Sequence, residues 1–192
     1  MMPELSLHVL DIAENSTKAN ATLVTIIVSI QTSLDRLTIT IKDNGCGMSL
    51  EQISKVKDPF FTTRTTRKVG LGVPFFQLAA ETANGSFHIE SKEQEGTTVC
   101  ATFQLSHIDR MPLGDMNATI HQLILMHPNC DFLYRYEYNN GNFILDTREF
   151  RNILGDIPFD TPEVSTYIKQ YLSECEAEVI QGQNTTKFLE AL

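Results

Sequence analysis

The sequence predicts an α+β fold, with helices grouped against an antiparallel-leaning sheet. Three observations predict it. Leu5, Val9, Ile12 and Ala13 recur at helical spacing within residues 4–17. β-branched, alternating runs at 22–30, 37–41, 86–91 and 97–105 read as strands. These strands do not alternate one for one with helices, which argues against a repeated βαβ unit.

Each element follows from its own residues. Asn20 ends the first helix, and Leu34-Asp35 turns the chain between the first two strands. The loop Asp43-Asn44-Gly45-Cys46-Gly47-Met48 leads to a short helix over Leu50–Val56. Residues 58–70 have no regular period and read as a loop. A second helix over Leu71–Ala83 stops at Asn84-Gly85, and the polar turn Glu93-Gln94-Glu95-Gly96 joins the next two strands. Beyond Ser106 the texture changes. His107–Gly114 reads as a linker, Met116–Met126 as a helix, and Asn139-Asn140-Gly141 as a hairpin between strands 131–138 and 142–145. A helix over 161–179 closes the chain. The expected organisation is a domain over residues 1–106 and a small αββα extension over 107–192. Phe132, Leu133, Tyr134 and Tyr136 alternate poorly there and read as core.

Composition narrows the function. Hydrophobic residues at 42% and charged residues at 20% are those of an ordinary globular protein. A net charge of -9 argues against nucleic acid, whose phosphates are held by clustered Lys and Arg. Only Arg64, Arg67 and Lys68 gather closely, a group suited to the phosphates of one small molecule. The N-terminus has no basic region followed by an apolar run, so no signal peptide is read. No stretch reaches the roughly 18 apolar residues of a membrane span. Cys46, Cys100, Cys130 and Cys175 lie far apart and suggest neither zinc nor disulfides. A cytoplasmic location is expected.

Four segments carry chemistry. Asp11 and Asn15, four apart, share one helical face. An amide oxygen there suits Mg²⁺, and a carboxylate one turn away suits a water; alone, the pair also reads as a solvated polar face. Asp43 ends a strand ahead of Gly45, Gly47 and Met48, where glycines admit close backbone approach and a carboxylate can accept from an exocyclic amine. Asp-Asn-Gly is equally turn chemistry. Phe61, Thr62, Thr63, Arg64, Arg67 and Lys68 precede Gly70, Leu71, Gly72 and Val73, where a helix opens. Free N–H groups at a helix start, with hydroxyls and arginines upstream, suit a phosphate tail. Last, Gly96-Thr97-Thr98 enters a strand, where Thr97 can bond a water or a carboxylate.

In this order the segments resemble the GHKL superfamily of gyrase, heat-shock chaperone, histidine kinases and MutL, whose ATP site is the Bergerat fold. Asp11 to Ser16 looks like its N-box, and Asp43 to Gly47 like its first glycine box. Phe60-Phe61-Thr62 looks like the F-box, Gly70-Leu71-Gly72 the second glycine box, and Gly96-Thr97 the third. The resemblance covers residues 4–105. It implies a two-layer α/β sandwich with a mixed sheet covered by helices, binding ATP and Mg²⁺. Asn15 would hold Mg²⁺, Asp43 would read adenine, residues 62–72 would cover the phosphates, and Thr97 would support the adenine end. The C-terminal part is similar to the tail of small ATPase-like proteins of iron-hydrogenase gene clusters.

Asp11 stands where gyrase and MutL carry Glu and histidine kinases carry Asn. It is a carboxylate one methylene short, so hydrolysis with Asp11 as base is one expectation. Lys68-Val69 replaces the usual extra glycines, which implies a short lid. No pair of long helices precedes the N-box, so self-phosphorylation on histidine is disfavoured, and His8 reads as a packing residue. Three functions remain: a slow ATPase or nucleotide switch acting through the C-terminal part, a protein kinase acting in trans, and an ATP sensor without turnover. That C-terminal part is expected to dock on the ATP domain, to hold a protein partner, or to form a homodimer.

Overall fold

The computed structural model describes residues 3–56 and 72–182. Its elements are α1 (Leu5–Lys18), β1 (Leu23–Gln31), β2 (Arg36–Asp43), α2 (Leu50–Val56), α3 (Gly72–Thr82), β3 (Ser86–Lys92), β4 (Gly96–Gln104), α4 (Met116–Met126), β5 (Asp131–Tyr138), β6 (Gly141–Asp146), α5 (Thr147–Leu154) and α6 (Pro162–Ile180). The strands form one mixed sheet in the order β3-β4-β2-β1-β5-β6. All pairs are antiparallel except β1 with β5, which run parallel.

Strand periodicity decides which face is covered. Val24, Ile26 and Val28 of β1, Leu37, Ile39 and Ile41 of β2, Val99, Ala101 and Phe103 of β4, and Phe132, Tyr134 and Tyr136 of β5 are all buried. Their alternates, among them Thr25, Ser29, Thr38, Thr40, Thr98 and Thr102, are only half-buried. One face therefore lies under helices and the other toward water, the pattern expected of a half-covered sheet. In the helical layer α1 packs between α3 and α4, and α4 packs on α6. The two-layer α+β architecture expected from the sequence is present.

The helices end as local chemistry dictates. Asn20 after α1 and Asn84 after α3 take positive φ, 58° and 53°, which an Asn tolerates better than most side chains. Gly85 follows because a Cβ there would fall 1.8 Å from the Thr102 carbonyl oxygen. No helix among the described residues is long and apolar enough to cross a membrane.

The C-terminal strands continue the same sheet through the parallel pairing of β5 with β1, the docking that the sequence left open. The C-terminal part departs from expectation in three ways. The segment read as a linker is bonded into the fold: the Leu5 and Ser6 N–H groups donate to the Pro112 and Leu113 carbonyls at 2.9 and 2.8 Å. Those bonds satisfy two of the N–H groups left open in the first turn of α1, where Glu4 offers no side-chain cap. Helix α5 was not anticipated, although its start is legible in Asp146, whose carboxylate accepts from the Arg148 N–H at 3.0 Å. The poor alternation ascribed to β5 is also corrected. Phe132, Tyr134 and Tyr136 face the core and Leu133 is the outward exception.

Because β1 and β5 share a core, damage in either half should be felt by both. Phe132→Ala, at a fully buried site, is expected to cost about 3–5 kcal/mol. Thermal unfolding followed by circular dichroism should remain one transition at lower temperature. Two separated transitions would contradict the shared core.

Candidate functional site

The end of β2 and the start of β4 bring Asp43, Gly45 and Thr97 together with Ser16 of α1. Asp43 closes β2 and is buried, 7% exposed. Its Oδ2 accepts from the Ser16 hydroxyl at 2.6 Å. Its Oδ1 accepts from the Gly45 N–H at 2.9 Å and the Thr97 N–H at 3.2 Å. Such a carboxylate is tolerable in a core because its lone pairs meet donors. Each carboxylate oxygen has about two acceptor positions, so Oδ1 is filled and Oδ2 keeps one.

The helix α1 positions the other polar residues. Ile12, Ala13 and Ser16 turn into the core, leaving Asp11 and Asn15 half-buried on the adjoining face. Asp11 lies against the start of α3, where a Cβ on Gly72 would fall 1.9 Å from Asp11 Oδ2. Val73 beside it is buried. The face of α1 that carries Asp11 thus meets the start of α3.

The glycines have a packing reason that differs from the one expected. A Cβ on Gly45 would lie 2.8 Å from the Ala19 carbonyl oxygen, and one on Gly47 only 1.9 Å from that of Lys92. Gly47 also takes φ 65°, a conformation glycine adopts without steric cost. Their immediate neighbours are protein backbone, with the loop drawn onto α1 and onto the β3–β4 hairpin. The Cys46 N–H donates to Ala19 O at 2.9 Å, and the Gln94 N–H donates to Cys46 O at 2.8 Å. Met48 packs partly against the core, and its N–H donates to Ser91 Oγ at 2.8 Å.

Ser91 was not picked out from the sequence, and Ser16 was named only as the end of the N-box, with no role of its own. Ser16 had a signal, being the residue after Asn15 and one turn beyond Ile12 on the buried stripe. Ser91 had none locally, because it reaches Thr97 only through the β3–β4 register. Phe61, Thr62, Thr63, Arg64, Arg67, Lys68, Gly70 and Leu71 lie outside the described residues.

His8 sits one turn before Asp11. It is fully buried, and neither ring nitrogen has a hydrogen-bond partner. Its ring stacks on Phe76 at 5.7 Å between centroids. Burial pushes its pKa below the ordinary 6.5, while the Asp11 charge pulls the other way. This is the packing role expected of it, with two polar atoms left unsatisfied.

Residues 3–107 match the family model described as "Histidine kinase-, DNA gyrase B-, and HSP90-like ATPase". A putative sensor protein of Shewanella frigidimarina is 31% identical over 85 residues, 44% of this chain and 13% of its own length. Sensor protein kinase WalK of Staphylococcus haemolyticus is 34% identical over 80 residues, 39% of this chain and 13% of its own length. This chain thus spans a small part of those relatives. Among solved structures, the N-terminal domain of a DNA repair protein aligns over 76% of this chain and 53% of its own, with TM-score 0.52 and 15% identity, a likeness of fold. The Aquifex aeolicus MutL ATPase domain complexed with ADP aligns over 71% of this chain and 61% of its own, with TM-score 0.45 and 17% identity.

The unsatisfied His8 gives a test. A polar group buried without a partner costs about 1–3 kcal/mol on mutational scales, so His8→Phe, keeping the stack on Phe76, should raise the melting temperature. Since folding lowers the His8 pKa, the unfolded chain binds more protons just below pH 6.5. Stability contributed by neutral His8 is therefore lost as pH falls from 6.5 toward the lowered folded value. Melting curves of the two proteins should diverge over that interval; parallel curves would remove His8 as the cause.

Proposed function

Since the chain belongs, over residues 3–107, to the histidine kinase-, DNA gyrase B- and HSP90-like ATPase family, we propose that it binds Mg-ATP and works as a slow ATPase or nucleotide-dependent switch. The observation that carries this reading is the buried Asp43. Its carboxylate is ionisable, is held by three donors from α1, the glycine loop and β4, and keeps an acceptor position on Oδ2. A group so placed fits an exocyclic amine and opposes an exocyclic carbonyl.

The residues present also fit a metal-bound phosphate tail. Asn15 carries the hard amide oxygen that Mg²⁺ accepts, and Asp11, one turn away, stands at the first turn of α3. The start of a helix of 11 residues favours negative charge. Bound Mg²⁺ would offset phosphate charge there. Thr62, Thr63, Arg64, Arg67, Lys68 and Gly70 are assigned to the phosphates by sequence. Asp11 is assigned to hold and deprotonate the attacking water, a role that requires hydrogen-bond reach to it.

The packing of α1 supports the switch. Asp11, Asn15 and Ser16 all stand on this helix, whose first turn is capped by residues 112–113 and whose flank packs on α4. A shift of α1 on nucleotide binding therefore reaches the C-terminal part directly, and that part is proposed to engage a protein partner. A second reading, transfer of the γ-phosphate to a separate protein, is favoured by the sensor protein kinase among the relatives.

Two measurements test this. Mg-ATP at about a hundred times its Kd stabilises a fold by roughly 2.7 kcal/mol, so the melting temperature should rise by several degrees and much less with GTP. In Asp43→Asn that rise should vanish, and a retained rise would refute the assignment. With γ-labelled ATP, Asp11→Asn should stop release of free phosphate while ATP still shifts the melt. An unchanged rate would remove Asp11 from the chemistry, and label appearing on an added protein would favour phosphotransfer.

A further inference from the structure

Ser91 has no part in the reading above, yet its hydroxyl ties the glycine loop to the start of β4 beside the carboxylate. Asp43 pairs across the sheet with Thr97, and Thr97 with Ser91, so the three form one row on the helix-covered side. Ser91 Oγ accepts from the Met48 N–H at 2.8 Å. It also lies 2.9 Å from the Gly96 carbonyl oxygen and 2.8 Å from Thr97 Oγ1.

A hydroxyl has one proton and two acceptor positions. Met48 takes one acceptor position of Ser91. The Gly96 carbonyl can only accept, so the Ser91 proton goes there. Thr97 must then donate its own proton into the remaining position on Ser91. The reverse assignment, Ser91 donating to Thr97, leaves the Gly96 contact without a proton and forfeits one of three hydrogen bonds. Thr97 Oγ1 is thereby left with lone pairs only.

We propose that Ser91 is a positioning residue for base selection: by holding the Thr97 proton, it makes the adenine end of the site a pair of acceptors, Asp43 and Thr97. Such a pair accepts an exocyclic amine and repels an exocyclic carbonyl, so discrimination does not rest on Asp43 alone. The inference rests on the nucleotide-binding reading of the same site. Without Ser91, Thr97 regains a proton that it can donate to a carbonyl oxygen.

The test compares ATP with inosine triphosphate, which carries a carbonyl at the 6-position, by calorimetry on the full chain with Mg²⁺. In Ser91→Ala the ratio of the two Kd values should fall about fivefold toward unity, the worth of one neutral hydrogen bond. Ser91→Thr, which keeps the hydroxyl, should restore the wild-type ratio. Thr97→Val leaves the Ser91 contacts to Met48 and Gly96 in place and should also lower the ratio. Adding Ser91→Ala to Thr97→Val should then change it no further. Equal weakening of both nucleotides in Ser91→Ala, with the ratio intact, would mean that Ser91 only braces the loop and would overturn the proposal. So would a wild-type ratio in Thr97→Val, which stands as the test should Ser91→Ala not fold. A wild-type chain that binds neither triphosphate would instead sink the site reading itself.

Discussion

The Asp43 carboxylate is the point on which the site depends. A charge in a core is tolerated only when donors surround it, and the donors here come from three separate elements. Ser16 brings α1, Gly45 brings the loop, and Thr97 brings β4. Removing the carboxylate would leave three donors facing each other, so Asp43 has a structural role as well as the one proposed for it. This explains why the end of the sheet can hold an acceptor in a fixed direction without bound ligand.

The same economy joins the two halves of the chain. Helix α1 cannot cap its own first turn, and the carbonyls of Pro112 and Leu113 do so. Strand β1 would be an edge without β5, and edges invite unwanted pairing; the parallel pairing closes it over eight residue pairs. The helix bearing Asp11 and Asn15 is thus held by the C-terminal part at its first turn and along the flank that faces α4. Its packing on α4 is the physical basis of the nucleotide-dependent output proposed above.

His8 runs against the general tendency of the core. An apolar residue would fill the place beside Phe76 without two unpartnered nitrogens. Local rules are most often broken near functional sites, and His8 lies one turn from Asp11. Ser91 is the opposite case: a small polar residue whose every contact is used, and whose proton placement follows from counting donors and acceptors.

Much of this protein was legible in the sequence, because periodicity and turn chemistry are local. The bounds of α2, α4 and β5 follow from hydrophobic spacing and from Asn, Gly and Asp punctuation, and the positive φ of Asn20 and Asn84 is written in their side chains. The polar residues of α1 and the end of β2 were likewise recognisable, since each sits at a marked position in its own element. Only the tertiary structure decided what depends on register. That β5 lies parallel to β1, that residues 107–114 cap α1, and that Ser91 stands beside Thr97 are matters of long-range pairing. Gly45 and Gly47 show the limit most clearly: their presence in the loop was plain, but that Ala19 and Lys92 press against them follows only from how helix and hairpin close on the sheet.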